Sequence, residues 1–196
     1  MSQSSSFEKA CQANRTASAA VLTEGRYLMS TLNTAGYGIV LMGDKQSGAE
    51  KASTVIAIPF GAGADNTTGT CRVWIGTYDG PTRDGPAPEC QLAYYGSLAF
   101  TLSTAVGVST AGPILSTERM ADTAVWTLAT TATTPKGVGE VMEGAFGAPA
   151  SRVYSTGDNV PAMLIIPVLP ICDFVLFEPY TGGSATSVNM LVAKGS

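Results

Sequence analysis

Asp79, Asp84 and Glu89 fall within one stretch that also holds three prolines and two glycines. Three carboxylates with backbone carbonyls beside them are a donor set that Ca²⁺ takes. Their spacing matches no calcium-loop motif, and the competing reading is a surface loop with solvated charges. Cys11, Cys71, Cys90 and Cys172 are widely separated, with no C-x-x-C pair, and the chain contains no histidine. A zinc site would need all four thiolates, which usually arrive as two close pairs. Cys71 and Cys90 either staple the loop between two strands or serve as small buried apolar side chains. Gly61-Ala62-Gly63-Ala64-Asp65 follows an apolar run, as phosphate loops do. It lacks the third glycine of a dinucleotide turn and the Gly-Lys-Ser/Thr of a Walker loop, so it reads as a plain turn. No metal or cofactor is expected.

The missing histidine also bears on catalysis. Histidine is the side chain that most readily exchanges protons near neutral pH. Without it the Ser-His and Cys-His nucleophile pairs are gone. No spacing favours a Ser-Lys or paired-carboxylate site, and the chain is expected not to be an enzyme. Binding is a different matter. Trp74, Tyr78, Tyr94 and Tyr95 would make an aromatic platform for a sugar if they reached one exposed face. Trp74 leads that reading, with Tyr78, Asp79 and Asp84 completing the candidate binding residues. The opposing reading has both sheet faces covered here, one by the core and the other by a neighbouring subunit. Asn14-Arg15-Thr16 and Asn66-Thr67-Thr68 match the glycosylation pattern. In a Thr-rich chain without a visible leader they are chance matches.

Short strands have to position these residues. Thr54–Phe60 is β-branched and reads as a buried strand, with Pro59 expected near a strand end or an edge. Cys71–Tyr78 alternates, placing Cys71, Val73, Ile75 and Thr77 on one face and Arg72, Trp74, Gly76 and Tyr78 on the other. The longest period-two pattern puts Leu92, Tyr94, Gly96, Leu98, Phe100 and Leu102 on one face. Further strands are expected at Tyr27–Met29, Tyr37–Met42, Ala124–Ala129, Arg152–Tyr154, Ala162–Pro167, Asp173–Glu178 and Ser187–Ala193. Asp122 precedes the Ala124 strand as its start. The last two strands flank a Gly/Thr turn and suggest a hairpin. Residues 1–25 read as a flexible N-terminal arm, with Cys11–Leu22 able to form a short helix. Residues 26–196 read as one domain. The fold class is all-β, an antiparallel β-sandwich, possibly jelly-roll-like.

Composition limits the partners. In 196 residues 45% are hydrophobic, enough for a core, and only 13% are charged. The net charge is −4 and the basic residues are scattered. Nucleic-acid surfaces need clustered Lys and Arg, so no nucleic acid is expected. The most apolar stretch, Val160–Ile171, is interrupted by three prolines, and no membrane span is expected. Met1–Lys9 has no apolar core of a secretory signal, which points to synthesis in a cytoplasm.

Two stretches carry a resemblance. Val106–Thr123, a "G-V … T-x-R-x-A-D-T" run leading into a strand, resembles a segment of small β-rich structural proteins of tailed bacteriophages. The end of the chain is similar to the same group: Phe174-Val175-Leu176-Phe177, a Gly/Thr turn, then Ala185-Thr186-Ser187-Val188-Asn189-Met190-Leu191. Arg72-Val73-Trp74-Ile75 is a weaker echo. Such proteins are capsid decoration, or cement, proteins. The resemblance implies a non-enzymatic virion protein, made in the host cytoplasm, that sits on the capsid exterior. There it would bridge neighbouring major capsid protein subunits, as a homotrimer. Residues 1–25 would then order against a neighbour. The alternative is a carbohydrate- or receptor-binding module of a phage tail or head surface, carried by Trp74 and the Asp79–Glu89 loop.

Overall fold

The structure, a computed structural model, describes residues 8–13, 22–35, 37–43, 52–63, 66–80, 85–103, 118–128, 152–154, 161–167, 172–181 and 187–195. Eleven strands and one short helix make up these segments. In chain order they are β1 (Glu8–Ala13), β2 (Gly25–Leu28), α1 (Met29–Thr34), β3 (Gly38–Leu41), β4 (Thr54–Ala62) and β5 (Thr67–Tyr78). There follow β6 (Glu89–Leu102), β7 (Glu118–Leu128), β8 (Arg152–Tyr154), β9 (Met163–Pro167), β10 (Phe174–Thr181) and β11 (Ser187–Gly195). Every strand pair among the described residues is antiparallel. The all-β sandwich class holds, and each expected strand is present. β10 and β11 do not form the expected hairpin, because β10 pairs with β3 and β5 while β11 pairs with β1 and β4. Two elements also change type. Cys11–Ala13 lies in β1, not in a helix, and β1 pairs with β11. The stretch after Leu28 turns into α1, closed by the Ala35 N–H on the Thr31 carbonyl at 3.1 Å.

The strands form two layers. The first runs β1-β11-β4 and then divides, because the far edge of β4 pairs with β9 through Thr54–Ala57 and with β7 through Phe60–Ala62. β8 completes this layer beside β9. The second layer runs β3-β10-β5-β6, with β2 and β7 sharing the far edge of β6. β7 belongs to both. Its residues 118–120 pair with β4 and its residues 121–128 with β6. The register shifts opposite Thr101/Leu102, leaving Asp122 as the extra residue. A bulge of this kind bends a strand and strengthens its twist, which lets one strand turn the corner between layers. Asp122 is therefore a mid-strand corner residue and not the start of β7.

The core lies between the layers. Val55 and Ala57 of β4, Leu164 and Ile166 of β9, and Val188 and Met190 of β11 face Val73 and Ile75 of β5, Leu98 of β6 and Phe177 of β10. The alternation of β5 is as the sequence implied. That of β6 is not. Val73 pairs with Gly96 and Trp74 with Tyr94, so Tyr95 is an extra residue. This bulge shifts the phase of the strand by one. Leu92 and Tyr94 face outward, while Tyr95, Leu98, Phe100 and Leu102 face the core. Pro59 sits inside β4, but between the residues paired with β9 and those paired with β7. A missing N–H is tolerated at such a break in the ladder.

Gly61 lies in β4 and not in a loop. A Cβ there would fall on the Ser187 carbonyl oxygen, part of the paired backbone. Gly61→Ala is expected to lower unfolding stability by about 1–3 kcal/mol through overpacking. Gly80→Ala, where nothing lies within 4 Å, should leave stability unchanged. Denaturant unfolding of the two variants, compared by midpoint at constant slope, tests this.

Candidate functional site

The outer face of the second layer carries Trp74, Tyr78 and Tyr94 of the residues that the sequence marked for binding. It divides into a covered half and an open half. In the covered half, Phe174, Leu176, Trp74 and Leu92 are apolar and outward-facing, so they need a lid. Residues 22–35 supply it. Leu22, Met29 and Leu32 pack on that face, with Tyr27 and Tyr94 partly buried beside them. Trp74 is 2% exposed, and its ring lies 5.0 Å from that of Tyr94, tilted by 53°.

One carboxylate organises the edge of this half. Glu178 is fully buried. Its Oε2 accepts from Trp74 Nε1–H at 2.9 Å and faces Arg72 Nε at 3.5 Å. Its Oε1 accepts the Leu22 backbone N–H at 3.0 Å. Arg72 Nη2–H donates to the Tyr180 hydroxyl at 2.8 Å, and the guanidinium lies 5.1 Å from the Tyr180 ring centroid. A buried carboxylate needs both a countercharge and hydrogen-bond donors, and three elements provide them here. Burial, and then the hydrogen bond to and the charge of Glu178, push the Tyr180 hydroxyl well above its ordinary value. Sequence reading missed Glu178 altogether. Its partners lie 104 and 156 residues away, and no local pattern announces them.

These positions revise the binding-site expectation. Trp74 cannot stack on a sugar, because it is buried within the chain itself. The cover expected from a neighbouring subunit is supplied in part by residues 22–35. Tyr95 points to the opposite side of the sheet, against Trp126 at 5.6 Å between centroids, so the four aromatics do not form one platform. Tyr78 is half-buried, with its ring tilted against that of Phe174 at 5.6 Å between centroids. Asp79 and Glu89 do converge, at the base of their loop, where the Asp79 N–H donates to the Glu89 carbonyl at 2.9 Å. The cation between them is Arg26, 2.9 Å from Asp79 Oδ2 and 3.5 Å from Glu89 Oε2. Arg26 is largely exposed, so this pairing is worth at most ~1 kcal/mol. Asp84 lies outside the described residues, as do Asn14, Ala64, Asp65, residues 104–117 and residues 182–186. Among the described residues no group of three or more His, Cys, Asp or Glu side chains is placed to hold a metal ion.

Cys71 and Cys90 do not form a disulfide. Both are buried thiols. Cys71 faces the core and Cys90 the outer cluster under residues 22–35. Cys90 lies opposite Tyr78, at the far end of the β5–β6 ladder from Cys71. Burial pushes the Cys90 thiol up to about 11 from its ordinary 9.0.

The open half offers a different kind of surface. Thr68 and Thr70 of β5, Ala99 and Thr101 of β6, and Thr123, Val125 and Thr127 of β7 lie in cross-strand register. Val125 is 66% exposed, the most exposed large apolar residue described. The patch bears no charged side chain, and the Arg72–Glu178 pair marks its border. Depletion of charge is the feature that separates interface centres from ordinary surface. Three strands of short side chains give a partner little side-chain entropy to freeze. Compared with family models, curated proteins and solved structures, the chain matches none.

Glu178→Ala is expected to cost about 3–5 kcal/mol, the range for removing one partner of a buried ion pair. It should also free the Leu22 amide. Hydrogen exchange at Leu22 is expected to accelerate in Glu178→Ala and stay slow in Gly80→Ala.

Tyr180 and Cys90 both hold their protons more tightly when folded. Their contributions to stability are complete below pH 9, the ordinary value of the thiol. They are lost as pH climbs above 9 for Cys90 and above 10.0 for Tyr180, because the unfolded chain then releases protons that the folded chain retains. Tyr180→Phe is expected to flatten the decline in stability above pH 10, read from denaturant midpoints across an alkaline series.

Proposed function

We propose that this chain is a non-enzymatic capsid decoration protein. On this reading it sits on the exterior of an icosahedral phage head, as a homotrimer, and bridges neighbouring major capsid protein subunits. The carrying observation is the open half-face on β5, β6 and β7, an uncharged surface of Thr68, Thr70, Ala99, Thr101, Thr123, Val125 and Thr127 on a double-layered body. The resemblance of Val106–Thr123 and Phe174–Leu191 to phage structural proteins gives that surface its partner class. A clamp of this kind requires shape and rigidity. Each contact needs only ordinary interface size, roughly 800 Å² per partner, because repetition over a lattice multiplies its effect.

A carbohydrate- or receptor-binding module was the rival reading. It rested on Trp74, which is buried under residues 22–35. The described acidic residues of its loop, Asp79 and Glu89, are both engaged with Arg26. No observation favours it over the clamp.

The copy number of the chain in purified particles, measured by quantitative mass spectrometry against the major shell protein, tests the proposal. A simple stoichiometric ratio to the shell subunit is expected, and absence from particles overturns it. Val125→Glu places a charge on the outer strand of the open half-face, beside Ala99 of β6. It is expected to weaken binding to undecorated heads by tenfold or more while leaving the unfolding midpoint unchanged.

A further inference from the structure

We infer that residues 22–35 form a strap that opens as one unit, without unfolding the two layers, and so gates the apolar outer face around Trp74. The partition of the apolar side chains carries this. Leu22, Met29 and Leu32 belong to the outer cluster. Among the described residues, none of 22–35 joins the cluster between the layers. The backbone divides at the same place. β2 pairs, among the described residues, with β6 alone, through Gly25–Leu28 against Glu89–Leu92. Lifting it breaks no described ladder between any other two strands.

The strap also carries hydrogen bonds of its own. The Tyr27 hydroxyl donates to the Thr23 carbonyl at 2.9 Å, the Thr34 hydroxyl to the Ser30 carbonyl at 2.8 Å, and the Ala35 N–H to the Thr31 carbonyl at 3.1 Å. These travel with it. Beyond the β2 ladder, the bonds that cross to the body are spread along its length. The Leu22 N–H donates to Glu178, the Tyr94 N–H to Glu24, and the Met29 N–H to the Pro88 carbonyl. Arg26 adds its exposed pairing with Asp79 and Glu89. A segment with internal bonds, an edge position and an apolar cluster apart from the main core is a cooperative opening unit below the global one. Its opening uncovers Trp74, Leu92, Phe174 and Leu176 together, while Val73, Leu98 and Phe177 stay covered by the first layer. The closed form thus withholds an apolar face that the open form presents. The inference concerns the chain by itself, and it stands or falls independently of the capsid reading.

Native-state hydrogen exchange of the full chain, followed residue by residue by NMR over a denaturant series below the unfolding transition, tests it. The Leu22, Met29 and Tyr94 amides cross the boundary at three separate places. One opening unit predicts that they share one opening equilibrium and one denaturant slope. That equilibrium is expected to lie about tenfold or more towards open relative to the Leu98 and Val175 amides of the central strands. Two variants separate the strap from the core. Leu32→Ala, at a fully buried strap position, should accelerate all three strap amides by the same factor, about tenfold or more. Leu164→Ala, in the cluster between the layers, should accelerate Leu98 and Val175 and leave the three strap amides unchanged, because closed and open strap share that core. Should Leu164→Ala fail to fold, the milder Ile166→Val in the same cluster replaces it. The inference is overturned if the strap amides exchange no faster than Leu98 and Val175, since the strap then opens only with the whole protein. It is also overturned if the three amides open to different extents, or if the core variant accelerates them.

Discussion

The second layer is apolar on both faces at its Trp74 end, and much of the structure follows from that constraint. A sheet with one wet face needs only a single partner layer. Here the inner face, with Val73, Ile75 and Phe177, is met by the first layer. The outer face, with Trp74, Phe174 and Leu176, would meet water unless chain is spent covering it. Residues 22–35 are that cover. They are too short to be stable alone: α1 has six residues and no side-chain cap, well below the length at which an isolated helix persists. Their position is set by packing and by specific tethers. Glu178 holds Leu22, Glu24 accepts the Tyr94 N–H at 3.2 Å, and Met29 N–H reaches the Pro88 carbonyl at 2.9 Å.

Glu178 solves one problem by creating another. The Trp74 indole N–H and the Leu22 amide are buried donors that need acceptors, and one carboxylate serves both. The cost is a buried negative charge. Arg72, one cross-strand position away, offsets it, and the Tyr180 hydroxyl fills the remaining space between them. A group of this kind is weak evidence for net stability, since an apolar replacement of the whole set can be as stable. Its value lies in selection. Only one placement of residues 22–24 puts the Leu22 amide on Oε1 and the indole on Oε2.

How legible this was in the sequence depended on the range of the interaction. The β5 alternation is a property of neighbouring residues, and Cys71, Val73 and Ile75 face the core as their spacing implied. The ten strands from β2 onward announced themselves by local apolar runs between turn residues. β6 did not keep its single face, because the Tyr95 bulge is specified by how β6 meets β5 and not by anything within β6. Gly96, the residue after the bulge, hints at it only in retrospect, since a Cβ there would strike the Trp126 ring. β1 carries little β-forming composition and exists as a strand through the open edge of β11. Trp74 lies on the outward face as its spacing implied, but its cover is not a neighbouring subunit, because it comes from residues 22–35 of the same chain, well upstream in sequence. Glu178 had no signal at all for the same reason.

The uncharged half-face gains its meaning from this contrast. Where the second layer is apolar, the chain covers it at the expense of a segment and a buried charge. Where the same layer carries threonine, the chain leaves it open. Threonine suits both states, since its methyl packs on a pleated surface and its hydroxyl accepts water. A surface of this type stays compatible with solvent while the protein is free and loses little on being covered. Val125 is the exception, at 66% exposure among the threonines of β7. An isolated exposed valine is ordinary. One on the outer strand of a charge-free, three-stranded patch is where a partner would gain most from excluding water. The rigidity of the patch comes from the same ladders that close the core behind it. Its shape is therefore fixed before any partner arrives, and a pre-formed surface avoids the ordering cost that reduces the affinity of looser interfaces.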